Sequence, residues 1–106
     1  MEPLVLFIKT TAKPGKRDDV YALWATYVRP HREGDSTQNA TFCCFDNHDP
    51  NVMYTLEYYT DRADFDASAQ EPWFTEYIKS ISPLLAAPPE VGFTTPIWIK
   101  PASCTS

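Results

Sequence analysis

The first apolar segment of the chain, residues 4–11, carries apolar side chains on both of its alternating sets. Its β-branched and aromatic content predicts a strand, in which successive side chains point to opposite faces. One face then carries Leu4, Leu6 and Ile8, and the other carries Val5 and Phe7. A sheet with one face in water shows a polar set on that side, so this strand must be covered twice. Helices can cover one face, and in a chain of 106 residues we expect a second subunit to cover the other.

A helical pattern follows the first strand after a Lys-Pro-Gly-Lys turn. Apolar side chains recur at helical spacing over residues 20–28 and form one stripe, which predicts an amphipathic helix. Pro30 and Gly34 are expected to end this helix, because proline breaks helix interiors and glycine is common where helices stop. The polar residues 32–38 are then interpreted as a loop.

The second half of the chain reads as a hairpin, two helical segments and a last strand. Residues 39–45 and 52–60 have strand composition, and turn-forming residues join them. Asp61 is a candidate N-cap for a short helix, and Pro72 interrupts or restarts the helical pattern. The final strand is predicted over residues 91–100, where an internal proline requires a sheet edge or a bulge.

The resulting order, β-α-β-β-α-β, predicts an α+β fold of the ferredoxin-like type. In this split βαβ arrangement a four-stranded antiparallel sheet carries both helical layers on one face. We assign residues 1–100 to a single domain and residues 101–106 to a flexible tail. Two such sheets packed face to face would bury the second apolar face of the first strand.

Composition and charge exclude several classes of partner. The net charge is −5 and no stretch concentrates Lys and Arg, which argues against nucleic acid and anionic membranes. The N-terminus lacks the pattern of a signal peptide, and no apolar run approaches the ~20 residues that span a bilayer, so a cytoplasmic location is expected. The three cysteines, Cys43, Cys44 and Cys104, have no metal-binding spacing and are interpreted as buried, reduced thiols. No glycine-rich phosphate loop indicates a nucleotide cofactor.

Several soft motifs occur in an order that resembles one known family. They are the turn at residues 13–16, the Asp-Pro of the hairpin at 49–50, the Glu-Tyr-Tyr at 57–59, and the helix at 64–68 that leads into Pro-Trp-Phe at 72–74. With these motifs the chain resembles the antibiotic-biosynthesis monooxygenase domain of the dimeric α/β-barrel superfamily. The resemblance implies a homodimer with one pocket per subunit between sheet and helices. It also implies oxidation of anthrone-type or quinol substrates by O₂ without metal or flavin.

The chain departs from the family pattern at positions that matter for chemistry. Tyr59 stands where the family usually has Trp, and Ser68 and Trp73 stand where members often carry His. The Asn that haem-degrading members use on the first strand has no counterpart in residues 6–8, so haem degradation is not implied. Other members isomerise small metabolites or have no known reaction. A cyclase or isomerase, and a non-catalytic ligand-binding dimer, therefore remain as alternatives.

Two polar residues of the predicted third strand are the candidate catalytic pair. Glu57 and Tyr59 lie two apart and therefore share a face. By the family comparison this is the pocket face, where Glu57 could act as a general base with the Tyr59 phenol as its hydrogen-bond partner. Such a base would deprotonate a phenolic substrate, whose anion can react with O₂ directly. The alternative is a structural Glu57 that bonds across the sheet or to a partner subunit.

The predicted helices supply candidate substrate-binding residues for a flat ligand. Aromatic rings on their apolar stripes can wall a slot, and stacking contributes on the order of 1 kcal/mol per good pair. The candidates are Trp24, Tyr27, Phe65, Ser68, Trp73 and Tyr77. Ordinary core packing is the alternative for each ring. His31 and His48 are interpreted as surface residues, and Cys43 or Cys44 lacks a neighbouring His that would activate a nucleophile.

Overall fold

The computed structural model describes residues 2–35 and 38–100, which form a four-stranded sheet and a set of short helices. The chain begins with strand β1 (Leu4–Thr11), followed by helices α1 (Arg17–Tyr27) and α2 (Arg29–Glu33). The hairpin strands are β2 (Gln38–Phe45) and β3 (Val52–Tyr59). Then come α3 (Arg62–Ala69), α4 (Pro72–Ile81), a 3-10 turn (Ser82–Leu84) and β4 (Glu90–Thr94). The tail predicted at residues 101–106 lies outside the described residues.

The strands pair in the order β2-β3-β1-β4, and every pairing is antiparallel. The register places Leu6 opposite Glu57 on one side and opposite Phe93 on the other, and Thr41 faces Glu57 from β2. Residues that face each other across a pairing share a face of the sheet, so these four side chains point the same way. The predicted α+β, ferredoxin-like fold is confirmed.

The core lies between the sheet and the helices. Residues of α1 and α4 pack with sheet residues in one cluster of buried side chains: Ala12, Val20, Trp24, Val28, Met53, Tyr77 and Ile81. On β1 the helix-facing Leu4 and Leu6 are 4% and 2% exposed. The helices therefore cover one face of the sheet, as their apolar stripes predicted.

The other face of the sheet is apolar, and the described residues do not cover it. Phe7, Phe42 and Tyr54 point away from the helices and are 48%, 56% and 40% exposed, respectively. Leu56 and Tyr58 lie between them and are only partly buried. The structure thus has the second apolar face that the sequence of β1 predicted. We call this set of five residues the reverse face.

The predictions for two prolines were partly wrong. Pro30 does not end the helical region, because α1 stops at Tyr27 and Pro30 lies in the first turn of α2. A proline is tolerated there, since the first N–H groups of a helix have no partner within it. Arg32, assigned to a loop, is therefore helical. The last strand is also shorter than predicted and ends at Thr94, before Pro96, which cannot donate a hydrogen bond to a ladder.

The helix that follows β3 begins as predicted. The Asp61 side chain accepts a hydrogen bond from the backbone N–H of Ala63 at 3.4 Å, the geometry of an N-cap. Pro72 stands in the first turn of α4, so it restarts the helix as the sequence indicated. Among the described residues, none of the helices combines the length and the apolar character that crossing a membrane requires.

Candidate functional site

A cavity of about 220 Å³ lies between the sheet and the helices. Leu6 and Ile8 of β1 form part of its floor, while Trp24, Phe74 and Tyr77 of the helices contribute to the opposite wall. Most of its lining is apolar, which favours an apolar guest over bulk water. We call this space the inner cavity.

The polar part of this wall is a hydrogen-bonded group built around Glu57. The Tyr59 hydroxyl donates to Glu57 Oε1 at 3.0 Å, and Arg32 Nη2 donates to the same oxygen at 3.3 Å. Arg32 Nη1 donates to Ser68 Oγ at 3.0 Å. Strand β3 thus supplies the acid and the phenol, α2 the guanidinium, and α3 the hydroxyl. We call these four residues the polar cluster.

The polar cluster holds one opposite pair of charges away from water. The side chains of Arg32 and Glu57 are only 8% and 4% exposed. A buried carboxylate without a counter-ion costs several kcal/mol, so Arg32 compensates the charge that Glu57 carries in this site. Because the two side chains come from different elements, this ion pair also ties α2 to the middle of the sheet.

Tyr59 is a neutral hydrogen-bond donor in this environment. The residue is fully buried, and this burial raises the pKa of its phenol, which the negative charge of Glu57 raises further. Arg32 and a hydrogen bond with Ser68 oppose these effects only in part. The hydroxyl proton therefore stays on Tyr59 and points at the carboxylate. Such a donor fixes the orientation of the Glu57 carboxylate. It can also stabilise a negative charge that develops beside it.

Arg32 is the residue of the cluster that the sequence interpretation missed. The sequence interpretation places Arg32 in a polar loop, because it expects Pro30 to end the helix. The spacing of Trp24, Val28 and Arg32 at four-residue intervals was a usable signal, since side chains at i and i+4 lie on one helical face. On a helix that continues past Pro30, this spacing places an arginine on the buried face, which is an unusual position for a charged side chain.

The cavity brings together most of the predicted site residues. Glu57, Trp24, Phe65, Ser68 and Tyr77 all line it. Their roles in binding or catalysis remain predictions, as does that of Tyr59, which lies next to Glu57.

Two predicted wall residues lie elsewhere. Tyr27 packs at a tilt against Tyr77, with ring centres 6.5 Å apart. Trp73 stacks on His31 at 4.1 Å between ring centres, and its ring centre lies 5.5 Å from the Arg32 guanidinium carbon. Neither is among the residues that line the inner cavity.

Two further pockets meet the polar cluster from outside. One of about 460 Å³ includes Tyr21, Arg29 and Cys43, and one of about 370 Å³ includes His31, Asp64 and Glu71. Arg32 lines both of them as well as the inner cavity. The guanidinium therefore stands at the boundary between the inner cavity and the outer surface.

The histidines take the surface positions that the sequence suggested, whereas the prediction of buried cysteines was wrong for Cys44, and Cys104 lies outside the described residues. Cys43 is partly buried on the helix side and Cys44 is exposed on the opposite face, as expected for neighbours on a strand. Burial, with a smaller effect of Cys44, raises the pKa of the Cys43 thiol to about 11, which makes it a poor nucleophile. His31 and His48 are both exposed. His31 Nδ1 lies 2.8 Å from the carbonyl oxygen of Tyr27.

Comparison with known proteins gives a family match and a set of similar folds. Residues 3–80 match the family model described as antibiotic biosynthesis monooxygenase. An uncharacterized protein of Synechocystis sp. is 28% identical over 90 residues, which is 85% of this chain. The chain spans only 60% of the length of that relative.

Solved structures of similar fold are less than 25% identical in sequence. A crystal structure of an antibiotic biosynthesis monooxygenase superposes with a TM-score of 0.79 at 22% identity, over 89% of this chain and 98% of that one. A conserved protein from Methanosarcina mazei gives 0.80 at 17% identity, over 90% and 93%. A protein of unknown function from Nitrosomonas europaea gives 0.80 at 23% identity, over 96% and 97%. These likenesses establish the fold.

Proposed function

Because this chain belongs to the antibiotic biosynthesis monooxygenase family, we propose that it is a cofactor-independent oxygenase. Its substrate would be a small phenolic, quinol or anthrone-type compound, which it oxidises with O₂. One observation carries this proposal: an apolar cavity of about 220 Å³ is lined by a single carboxylate, and Tyr59 and Arg32 hold that carboxylate in place. An apolar space with a carboxylate in its wall suits a reaction that begins by removing one proton.

The proposed reaction starts at Glu57, which accepts the proton of a bound hydroxyarene. The resulting anion passes an electron to O₂, and the two radicals combine at a ring carbon to form a peroxide anion. This anion takes the proton back from Glu57 and becomes a hydroperoxide, which restores the carboxylate. Loss of water from the hydroperoxide leaves a quinone, so one oxygen atom enters the product and the other leaves as water. All the electrons that reduce O₂ come from the substrate, and no outside reductant is required.

The size of the inner cavity limits the substrate. An apolar cavity of about 150 Å³ in another protein is large enough to hold benzene. By that measure the inner cavity, at about 220 Å³, suits one or two fused rings. A three-ring anthrone would need a side chain of the wall to move. Phe93, on the edge strand β4 and 50% exposed, is the wall residue that we expect to move.

We propose further that the protein is a homodimer whose subunits meet through the reverse face. Phe7 and Phe42 are about half exposed there, and neighbouring apolar side chains extend the patch across three strands. Contiguous apolar surface of this kind usually marks an interface. Packing two reverse faces together would complete a dimeric barrel and leave the helix side, with the inner cavity, outside the interface.

A cytoplasmic location belongs to the same proposal. Cys43 and Cys44 are free thiols, which fits a reducing compartment. The net charge of −5 gives no attraction to anionic lipids or nucleic acid.

The test is oxygen uptake with a panel of hydroxynaphthalenes and anthrones, with wild type and Glu57→Gln compared. Glutamine keeps the shape and an acceptor oxygen but cannot take the proton. We expect uptake by wild type and a loss on the order of 100-fold in Glu57→Gln, the usual weight of a general base. Uptake by the variant at the wild-type rate would remove Glu57 from the mechanism.

A second reaction class uses the same groups without O₂. The carboxylate of Glu57 and the neutral phenol of Tyr59 form an acid-base pair, which a cyclase or isomerase requires. An anaerobic assay separates the two, because only the oxygenase stops when O₂ is removed. Binding of these ligands without any turnover, with or without O₂, would identify a non-catalytic ligand-binding dimer.

A further inference from the structure

Arg32 has more hydrogen-bonding capacity than its neighbours use. A guanidinium carries five N–H donors, and in a buried site they require acceptors. Nη2 donates to Glu57 and Nη1 to Ser68, whereas the buried Nε has no partner among the described residues. The side chain is only 8% exposed and lines the inner cavity. The Arg32 guanidinium, a buried cation with an unused N–H donor, therefore borders the inner cavity that we propose for the substrate.

The charge of Arg32 gains importance once Glu57 takes a proton. In the resting site the guanidinium and the carboxylate compensate each other at 3.3 Å. Protonation of Glu57 removes the negative partner and leaves a buried cation, which is costly unless another anion replaces it. The anion that forms at the same moment is the oxygen of the substrate that lost the proton. Transfer from substrate to Glu57 thus keeps the net charge of the site constant.

We propose that Arg32 is an oxyanion-binding residue, whose guanidinium pairs with Glu57 in the resting site and with the ionised oxygen of a hydroxyarene after proton transfer. This inference rests on the proposed function insofar as the ligand is a hydroxyarene. The step is a proton transfer: the O–H bond of the substrate breaks, an O–H bond to Glu57 forms, and the electron pair stays on the substrate oxygen. Arg32 keeps its own proton throughout.

The surroundings of Arg32 select for a ligand that arrives neutral. The outer pocket that Arg32 and Ser68 share also carries the carboxylates Asp35, Asp64 and Glu71. These charges repel an anion that approaches from this side. An aromatic carboxylate would also meet the ionised Glu57 beside Arg32, whereas a neutral hydroxyl can donate to it. The structure therefore favours hydroxyarenes over aromatic acids of the same size.

Binding of para-nitrophenol tests the proposal without any turnover. Its anion absorbs in the visible, so the ionisation of the bound ligand can be titrated directly, and it is too electron-poor to be consumed. Glu57→Gln leaves Arg32 without its carboxylate and should lower the pKa of the bound phenol relative to wild type. The double variant Glu57→Gln with Arg32→Met removes both charges and should raise it again.

The comparison between these two variants isolates Arg32, because both lack the carboxylate and they differ only in the guanidinium. We expect a difference of about one pH unit or more, which is about tenfold in the ionisation equilibrium. Arg29→Met is the matched control, since Arg29 lies on the same helix, pairs with Glu33 and is 58% exposed. It should leave the titration unchanged. Equal bound pKa values in Glu57→Gln and the double variant would overturn the proposal.

The neighbouring phenols and the thiol stay protonated across this set, although the charge of Glu57 contributes to their raised pKa values. Tyr59, Tyr77 and Cys43 have raised pKa values, mainly through burial, and remain neutral while nitrophenol titrates. The carboxylates of the outer pocket are common to all variants, and a His31→Gln variant controls for the imidazole beside them. A difference between these variants in the pKa of bound para-nitrophenol therefore reports the Arg32–Glu57 pair.

A second ligand tests the selection for neutral guests. Para-nitrobenzoate has the same ring with a carboxylate in place of the hydroxyl. Wild type should bind para-nitrophenol at least tenfold more tightly, and Glu57→Gln should reduce or reverse that preference. Tighter binding of the benzoate by wild type would contradict the inference. Either result is independent of oxygen uptake, so a failure here is distinguishable from a failure of the oxygenase proposal.

Discussion

Among single residues, Arg32 and Glu57 matter most, because both the proposed function and the proposed role of Arg32 depend on their ion pair. Its side chains come from α2 and β3, and both are more than nine-tenths buried. Removing one partner of a buried pair leaves an uncompensated charge, which usually costs more than removing both. The pair should therefore contribute to stability as a unit, and its energetics can be measured apart from any activity.

Arg32→Met should lower the free energy of unfolding by about 3–5 kcal/mol, because Glu57 keeps its charge in an apolar site. Adding Glu57→Gln to that variant should recover most of the loss. Chemical denaturation of the two single variants and the double variant measures this. Additive effects of the two substitutions would show that the side chains do not interact.

The buried phenols and the Cys43 thiol predict a loss of stability at alkaline pH. Burial raises the pKa of Tyr59 and Tyr77 above that of an exposed tyrosine, and that of Cys43 to about 11. A group with a raised pKa in the folded state binds more protons there, so its stabilising effect is complete below the unfolded pKa and is lost above it.

For Cys43 this window lies between the ordinary thiol value of 9.0 and about 11. Denaturation midpoints should fall as the pH rises through it, and a Cys43→Ala variant should show a shallower fall. Cys44→Ala is the control, because Cys44 is exposed. An identical pH dependence of wild type and Cys43→Ala would contradict the burial of this thiol.

At the scale of elements, the sequence predicted the strands well and one helix poorly, for reasons that particular residues explain. The alternation in residues 4–11 and the cap at Asp61 are local signals, and both were read correctly. Pro30 is also local, but whether it ends or begins a helix depends on packing of the following turn against the sheet. Arg32 was missed for that reason, since its partner Glu57 lies 25 residues away.

Helix α3 contributes Phe65, Ser68 and Ala69 to the lining of the inner cavity, and we expect its stability to depend on the Asp61 cap. Asp61→Ala removes the acceptor for the Ala63 N–H and should cost about 1 kcal/mol of stability. Amide hydrogen exchange should rise first in this helix, while the amides of β1 and β3 stay protected. Asp61→Asn retains a side-chain oxygen and should behave like wild type. Unchanged exchange in α3 after Asp61→Ala would exclude the capping role.

For the molecule as a whole, the described residues form one sheet with two apolar faces. Their helices cover only one of these faces. The reverse face exposes Phe42 by 56% and Phe7 by 48%. The inner cavity lies on the opposite side, so the proposed assembly and the proposed ligand binding use different surfaces. This separation lets each be disrupted without the other.

Phe42→Lys should turn the proposed dimer into a monomer, because it places a charge in the middle of an apolar interface. Ala22→Lys adds the same charge on an exposed position of α1 and should leave the dimer intact. Sedimentation equilibrium distinguishes the two outcomes. A wild-type protein that sediments as a monomer at micromolar concentration would contradict the reverse-face interface.

Mass spectrometry of the product formed under heavy-oxygen O₂ shows whether this protein inserts oxygen from O₂ into its substrate. A hydroxynaphthalene of the size that fits the inner cavity is incubated with the wild-type protein and the isotopically labelled gas. We expect a quinone that carries one labelled oxygen atom, with the second labelled atom in water. We also expect little product from the Glu57→Gln variant. Product formed without label, or formed equally well in the absence of O₂, would contradict it.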